Sequence, residues 1–272
     1  MHPHRADTTP IVMGVLNVTP DSFSDGGLYL DVDAAVAHAR EMAEDGAAIV
    51  DVGGESTRPG AEPVSEADEL GRVIPVIERI AASGGPRVSV DTRKLAVAEA
   101  AVQAGARIVN DVSAFRAAPE MAGIVASSGA SCCLMHMLGE DPRTMQADPR
   151  YEDVVAEVKA FLEERLAFAV GEGVPEDRVW LDPGIGFGKT IDHNLELLRR
   201  LDEIAAMGRP VVIGASRKSF LGRITGRPER ERVAATVAAN VIAYERGASI
   251  FRVHDVREAV DSLRVASATV AG

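Results

Sequence analysis

The sequence predicts a single-domain (β/α)8 barrel over 11–272, preceded by an N-terminal tail over 1–10, and three observations carry that prediction. Eight short apolar runs recur along the chain, each suited to a strand buried on both faces. Each run ends in a polar residue that opens a glycine- or hydroxyl-rich loop. A helix-periodic stretch then leads to the next run, with no composition break that would mark a linker. Regular βα alternation implies a parallel sheet, and eight units favour closure into a barrel. A doubly wound open sheet is the alternative that the same alternation allows.

The first run is Ile11–Leu16, ending at Asn17, and a polar loop from Val18 to Gly27 follows. Asp33 is placed as the cap of a helix reaching about Glu44. Ile49–Val52 leads into a second loop, Gly53–Gly60, after which Ser65 and Asp68 open a helix in capping-box fashion through Ile74, Ile77 and Ile80. Val88–Val90 ends in Asp91, with a helix from about Leu95 to Ala104. Ile108–Val109 ends in Asn110 and Asp111, and Cys132–Met135 ends in His136. After a long loop a helix is expected from about Tyr151 to Val170. Val179–Leu181 ends in Asp182 and a loop with three glycines, Gly184, Gly186 and Gly188, which let backbone approach a ligand closely. A helix with Leu195, Leu198 and Leu201 in register comes next. Val211–Ile213 ends in Ser216-Arg217-Lys218, with a helix from about Arg230 to Glu245. Ser249–His254 is the last strand, and a helix from Val256 to about Ala266 completes the ring.

Composition narrows the function classes. The 272 residues are 46% hydrophobic but only 4% aromatic, so the core is built from Ala, Val, Leu and Ile. A net charge of -12 argues against broad electrostatic binding to nucleic acid. It leaves room for an anionic substrate where a few cations converge. Cys132 and Cys133 are neighbours in a strand and point to opposite faces, so buried thiols are expected rather than a disulfide. The N-terminus has no apolar signal core, and no run approaches the ~20 residues needed to span a bilayer. A cytoplasmic, reducing setting with no membrane partner is the expectation.

In a barrel of this kind ligands sit at the carboxyl ends of the strands. Those ends hold Asn17, Asp51, Asp91, Asn110, His136, Asp182, Ser216-Arg217-Lys218 and Arg252-Val253-His254. Asp91, Asn110, Asp182 and Lys218 around one pocket suit a polar heterocycle that presents several donors and acceptors. Arg58, Arg252 and His254 add local positive charge of the kind that holds a phosphate or diphosphate.

The runs Gly14–Gly27 and Asp51–Gly60 resemble the two loop signatures of the dihydropteroate synthases. Ser89–Thr92, Asn110–Ser113, Leu134–Met137, Leu181–Lys189, Ser216–Ser219 and Arg252–Asp255 are similar to the same family in the same order. The resemblance implies condensation of p-aminobenzoate with 6-hydroxymethyl-7,8-dihydropterin diphosphate, with release of diphosphate. It implies that Asp91, Asn110, Asp182 and Lys218 hold the pterin, with Met135 nearby and Arg252 over the ring. Asn17, Arg58, Arg252 and His254 would hold the diphosphate, with Mg2+ bridging to Asn17 and Asp21. Phe23, Thr57, Pro59, Phe187, Ser216 and Lys218 would form the aminobenzoate pocket, where sulfonamides compete. The catalytic set is Asp91, Asp182, Lys218, Arg252 and His254, and a homodimer is implied, with the alanine-rich 233–243 helix as a plausible contact. The first two loops are expected to close over the diphosphate.

Plainer readings stand beside these. Asp91 and Asp182 could each be helix caps, and Asp51 reads as a support for its neighbours. His136 is either a core histidine or a site-lining one, and Met135 and Met137 alone would be core filler. Gly186–Thr190 looks like part of a phosphate-binding P-loop, but Pro183 stands where the first glycine is required. Arg87, Arg93, Lys94, Arg199 and Arg200 read as solvated. No His-x-His pair ends the first strand, which weakens a metallohydrolase barrel. Ala114 stands where the family often has glycine. The rival enzyme is a corrinoid-linked pterin methyltransferase, which has no use for a diphosphate grip. The rival from another class is a non-catalytic pterin-binding paralogue, which should have lost the loop residues Asp21, Phe23, Thr57 and Arg58.

Overall fold

The computed structural model describes residues 9–19, 31–56, 62–141 and 144–270. Strands β1 (Ile11–Asn17), β2 (Ile49–Gly53), β3 (Arg87–Asp91), β4 (Ile108–Asp111), β5 (Ser131–Met135), β6 (Val179–Asp182), β7 (Val212–Ile213) and β8 (Ile250–Val253) form one parallel sheet in the order β6-β5-β4-β3-β2-β1-β8-β7. A parallel bridge between Leu181 and Val211 joins the two ends, so the sheet closes into a barrel and the open-sheet alternative is excluded.

Helices α1 (Val32–Glu44), α2 (Glu66–Ala82), α3 (Leu95–Gln103), α4 (Met121–Ser128), α5 (Val154–Gly171), α6 (Ile191–Arg199), α7 (Leu201–Ala205), α8 (Ser219–Thr225), α9 (Val233–Glu245) and α10 (Val256–Val270) connect the strands. Ser65 caps α2 as expected, accepting from the Asp68 N–H at 3.1 Å. The cap of α1 is Asp31 rather than Asp33: Asp31 Oδ1 accepts from the Ala34 N–H at 2.9 Å, and Asp33 lies in the first turn, paired with Arg79. Asp153, two residues beyond Tyr151, starts α5 by accepting from the Val155 and Ala156 amides. The stretch expected as one helix through Leu201 breaks at Arg200, which is held by Asp153 and Glu203. After β7 the short α8 precedes a 3-10 turn, and α9 begins at Val233 rather than near Arg230. The last helix runs on to Val270, beyond Ala266.

Two layers of side chains follow from the strand alternation. Cys132 packs outward in the main core between strands and helices, whereas Cys133 faces the barrel axis, and both thiols are free and buried. The axial cluster takes Met13, Ile49, Ile108, Cys133, Trp180, Val212 and Ile250, one residue from each strand but β3. Two residues further along those strands, on the same face, stand Asp51, Asn110, Met135, Asp182 and Arg252. An apolar plug thus fills the barrel from below, and the polar residues sit directly above it, at the carboxyl end.

Candidate active site

Asp51 is the hub on one side of this floor. It is fully buried, and its Oδ2 accepts from Arg252 Nε at 2.6 Å and from Asn110 Nδ2 at 3.0 Å. Arg252 Nη2 reaches across to Asp91 Oδ2 at 2.7 Å. One guanidinium therefore joins β8 to β2 and β3, and Asn110 brings in β4. The support role read for Asp51 is thus a joint that four strands share. Burial pushes the Asp91 carboxyl up to about 7; Arg252 pulls it back, while Asp51, Glu69 and Asp111 add to the rise. Burial alone would lower Arg252, but Asp51 and Asp91 outweigh it and its guanidinium stays firmly charged. Arg252 therefore lies between two carboxylates within the bowl, not only at its rim. Neither Asp91 nor Asp182 caps a helix: Lys94 stands at the start of α3 and Thr190 at the start of α6.

The opposite side is organised by the loop after β6. Asp182 Oδ1 accepts from the Gly184 N–H at 2.7 Å. Burial raises Asp182 to about 6, against the Gly184 hydrogen bond, Lys218, Arg252 and Lys189, which all favour the anion. The three glycines serve the loop itself as much as any ligand: φ is 68° at Gly184, 82° at Gly186 and 67° at Gly188, a region that side chains disfavour. A Cβ on Gly184 would overlap the His136 carbonyl oxygen, and one on Gly188 would overlap Leu138. Side chains from elsewhere pin the loop. Gly186 N–H donates to Asn194 Oδ1 at 2.7 Å, Gln146 donates to the Gly186 carbonyl, and Tyr151 Oη donates to the Gly188 carbonyl at 2.9 Å.

Phe187 rides on this loop within a cluster of Val112, Met135, Met137 and Met145, and Lys218 Nζ lies 4.0 Å from its ring centroid. Met135 therefore lines the same wall as Phe187. Lys218 and Ser216 flank Arg217, whose φ of 57° is held by an ion pair to Asp255, by its N–H donating to Thr236 Oγ1 at 3.1 Å, and by Arg232 on its carbonyl. Ser216 Oγ accepts from the His254 backbone N–H at 3.1 Å and lies 3.0 Å from His254 Nδ1. The hydroxyl's remaining lone pair and its proton let it meet Nδ1 in either imidazole tautomer.

Sequence reasoning missed two groups. Lys189, passed over once the P-loop match failed, is buried and points inward: Nζ contacts His136 Nδ1 at 2.9 Å and donates to the Phe187 carbonyl at 3.0 Å. His136 is a buried histidine that supports the loop. Lys94, read as solvated, is tied to Glu55 at 2.8 Å and to the buried Glu69. Glu55 also accepts from the Val64 N–H at 3.2 Å, bracing the base of the second loop. The signal for Lys94 was an acid at matching depth on two other elements, visible only after folding. Ala114, at the position where glycine is common in the family, has φ 53°, which accounts for that preference.

Asp21, Phe23, Thr57, Arg58 and Pro59 lie outside the described residues, as does the expected closure of the first two loops. Among the described residues no group of three or more His, Cys, Asp or Glu could hold a metal ion. Asn17 supplies one hard oxygen donor where β1 ends. One or two such donors suit a Mg2+ that keeps its other positions for phosphate oxygens and water, so the donor set fits an ion brought with a diphosphate and not one caged by protein. Among the described residues no helix is long and apolar enough to cross a membrane.

Comparison with known proteins returns pterin-binding enzymes. The family model described as pterin binding enzyme matches residues 13–254, and the chain belongs to that family, within its dihydropteroate synthase branch. It is 46% identical over 269 residues to the dihydropteroate synthase of Escherichia coli (strain K12), covering 99% of this chain and 92% of the relative. The Xanthomonas albilineans dihydropteroate synthase in complex with 7,8-dihydropteroate matches with a TM-score of 0.87 and 45% identity, over 98% of this chain and 96% of that one. The Yersinia pestis enzyme with a sulfonamide drug matches with a TM-score of 0.91 and 44% identity, over 97% and 95%.

Proposed function

We propose that this chain makes 7,8-dihydropteroate in the bowl by a dissociative displacement, with the C–O bond to diphosphate breaking before the C–N bond forms. Dihydropteroate synthesis, a transferase reaction of folate biosynthesis, is the activity that near-full-length identity to the synthases carries. The observation that supports the mechanism is the placement of two unlike groups around one bowl. Acids and an amide stand on the floor (Asp91, Asn110 and Asp182), while Lys218, Ser216 and His254 follow the ends of β7 and β8.

An arylamine is a modest nucleophile, so loss of the leaving group is the difficult event. Asp91, Asn110, Asp182 and Lys218 hold the pterin beside Met135. Two buried carboxylates with raised affinity for protons have a matching affinity for positive charge on the ring as the bond to oxygen lengthens. Arg252 keeps Asp91 and Asp51 oriented for that task and, with Asn17, Arg58 and His254, receives the departing diphosphate. The electron pair of the breaking bond leaves with the diphosphate oxygen. The amine then attacks the methylene carbon, and the proton it sheds passes to the diphosphate or to solvent. Mg2+, on Asn17 and Asp21, would supply charge neutralisation for the leaving group. Phe187 and Lys218, with Phe23, Thr57, Pro59 and Ser216, form the aminobenzoate pocket, where a sulfonamide competes.

A homodimer in the cytoplasm completes the reading. Ile242 on α9 is 45% exposed, in keeping with an apolar contact there, and two free thiols suit a reducing compartment.

Positional isotope exchange tests the order of bond changes. With 18O in the bridging oxygen and no amine present, scrambling into non-bridging positions of recovered substrate is expected. Absence of scrambling, together with a secondary deuterium effect near unity at the methylene, would overturn the dissociative reading.

A further inference from the structure

A lysine withdrawn from water is costly unless something needs it there. Lys189 is 4% exposed and sits under the 184–188 loop, with its nitrogen between the carbonyl of Phe187 and the imidazole of His136. The loop folds around it: Phe187 N–H donates to the Gly184 carbonyl at 3.0 Å while Phe187 C=O receives Lys189. The other pins, from Asn194, Gln146 and Tyr151, act on Gly186 and Gly188. Lys189 acts on the carbonyl of Phe187 itself and ties it to His136, just past β5.

We infer that Lys189 is a positioning residue for the aromatic amine, tying Phe187 to His136 at the end of β5 and so fixing the ring against Lys218. The direction of the bond to His136 is set by charge. Burial, then Lys189 and Arg116, lower the imidazole to about 2, so it is neutral and its Nδ1 accepts. Burial also lowers Lys189, to about 7, with Asp182 on β6 opposing the fall and Lys218 beyond β7 adding to it. Either protonation state leaves at least two N–H donors on the amine nitrogen, enough for both contacts. The tether therefore does not depend on the charge.

The inference rests on the reading that Phe187 lines the aminobenzoate pocket, and the experiment separates the two. Steady-state diphosphate release is measured for Lys189→Met, Lys189→Gln and Phe187→Ala, with pterin binding followed by titration calorimetry as the check on folding. Lys189→Met is expected to raise the KM for p-aminobenzoate about tenfold, the order expected of one lost hydrogen bond. The KM for the pterin diphosphate should change less than about twofold. Lys189→Gln, which keeps a donor, should recover most of the loss. A fall in kcat alone, an equal rise in both KM values, or a glutamine variant no better than methionine would overturn the inference. If Lys189→Met does not fold, His136→Leu removes the other end of the tether and should give the same split in smaller measure; a parental KM would count against the tether. A parental aminobenzoate KM in Phe187→Ala would instead remove the pocket assignment beneath it.

Discussion

The two sides of the bowl hold their acids by opposite means. On β2, β3, β4 and β8, side chains hold side chains: Asp51, Asn110, Asp91 and Arg252 are linked across four strands. On β6 the acid is held by peptide groups, with Gly184 N–H on Asp182 and a glycine loop pinned through its own carbonyls and amides. The lesson is that the same chemical need, a buried carboxylate kept in place, can be met by charge pairing or by backbone shape. The two solutions are vulnerable to different changes. The first is sensitive to removal of a charge, the second to addition of a methyl group.

Asp51→Ala attacks the first solution and carries the largest expected effect. Arg252 Nε and Asn110 Nδ2 both lose their acceptor in a buried place, which should cost about 3–5 kcal/mol in urea-midpoint stability. A loss under about 1 kcal/mol would mean that the joint is solvated and not a shared anchor. Gly184→Ala attacks the second. The added methyl meets the His136 carbonyl in a left-handed backbone, and a cost of about 3 kcal/mol is expected, read in the same titration. Parental stability there would show that the loop bends freely and that the contrast is overstated.

The smallest effect is one of pH, on the ligand-free protein. Asp182 holds its proton more tightly folded than unfolded, about 6 against 3.8. The unfolded chain ionises first, so this residue's share of stability is complete below about 4 and is lost as pH climbs through about 6. Asp182→Asn cannot ionise, so its stability should fall less than the parent's between pH 4 and pH 7.5. The part due to Asp91, which extends to about 7, remains in both. Parallel curves for the two proteins would place the raised proton affinity elsewhere.

The barrel was legible because its signal is repeated: eight apolar runs with polar ends and intervening helices each restate the same topology. The strand-end residues were legible for the same reason, since Asp91, Asn110 and Asp182 stand where alternation turns them inward above the apolar plug. Helix starts were less so. Asp31 and Asp33 both suit a helix N-terminus, one as cap and one as a first-turn anion, and sequence does not rank them. Hidden were the partners distant in sequence, even where a supporting role was read, as for Asp51. Asp51 and Arg252 meet across 201 residues, Lys189 and His136 across 53, and nothing local to either residue marks the pairing. Arg217 was given no role of its own in the Ser216-Arg217-Lys218 strand end, yet it holds a left-handed backbone that Asp255, Thr236 and Arg232 together explain.

The barrel closes where its strands are shortest. β7 contributes only Val212 and Ile213, and β6 meets it through the Leu181–Val211 bridge and the Leu181 N–H donating to the Pro210 carbonyl at 2.9 Å. The hoop is thus fastened by a small clasp directly below Asp182 on one side and Ser216 on the other. Much of what fixes the spacing between those two walls lies above the clasp, where Lys218 rests on Phe187 and on Gly186. In this enzyme the width of the mouth on that flank is governed by its lip as well as by its staves.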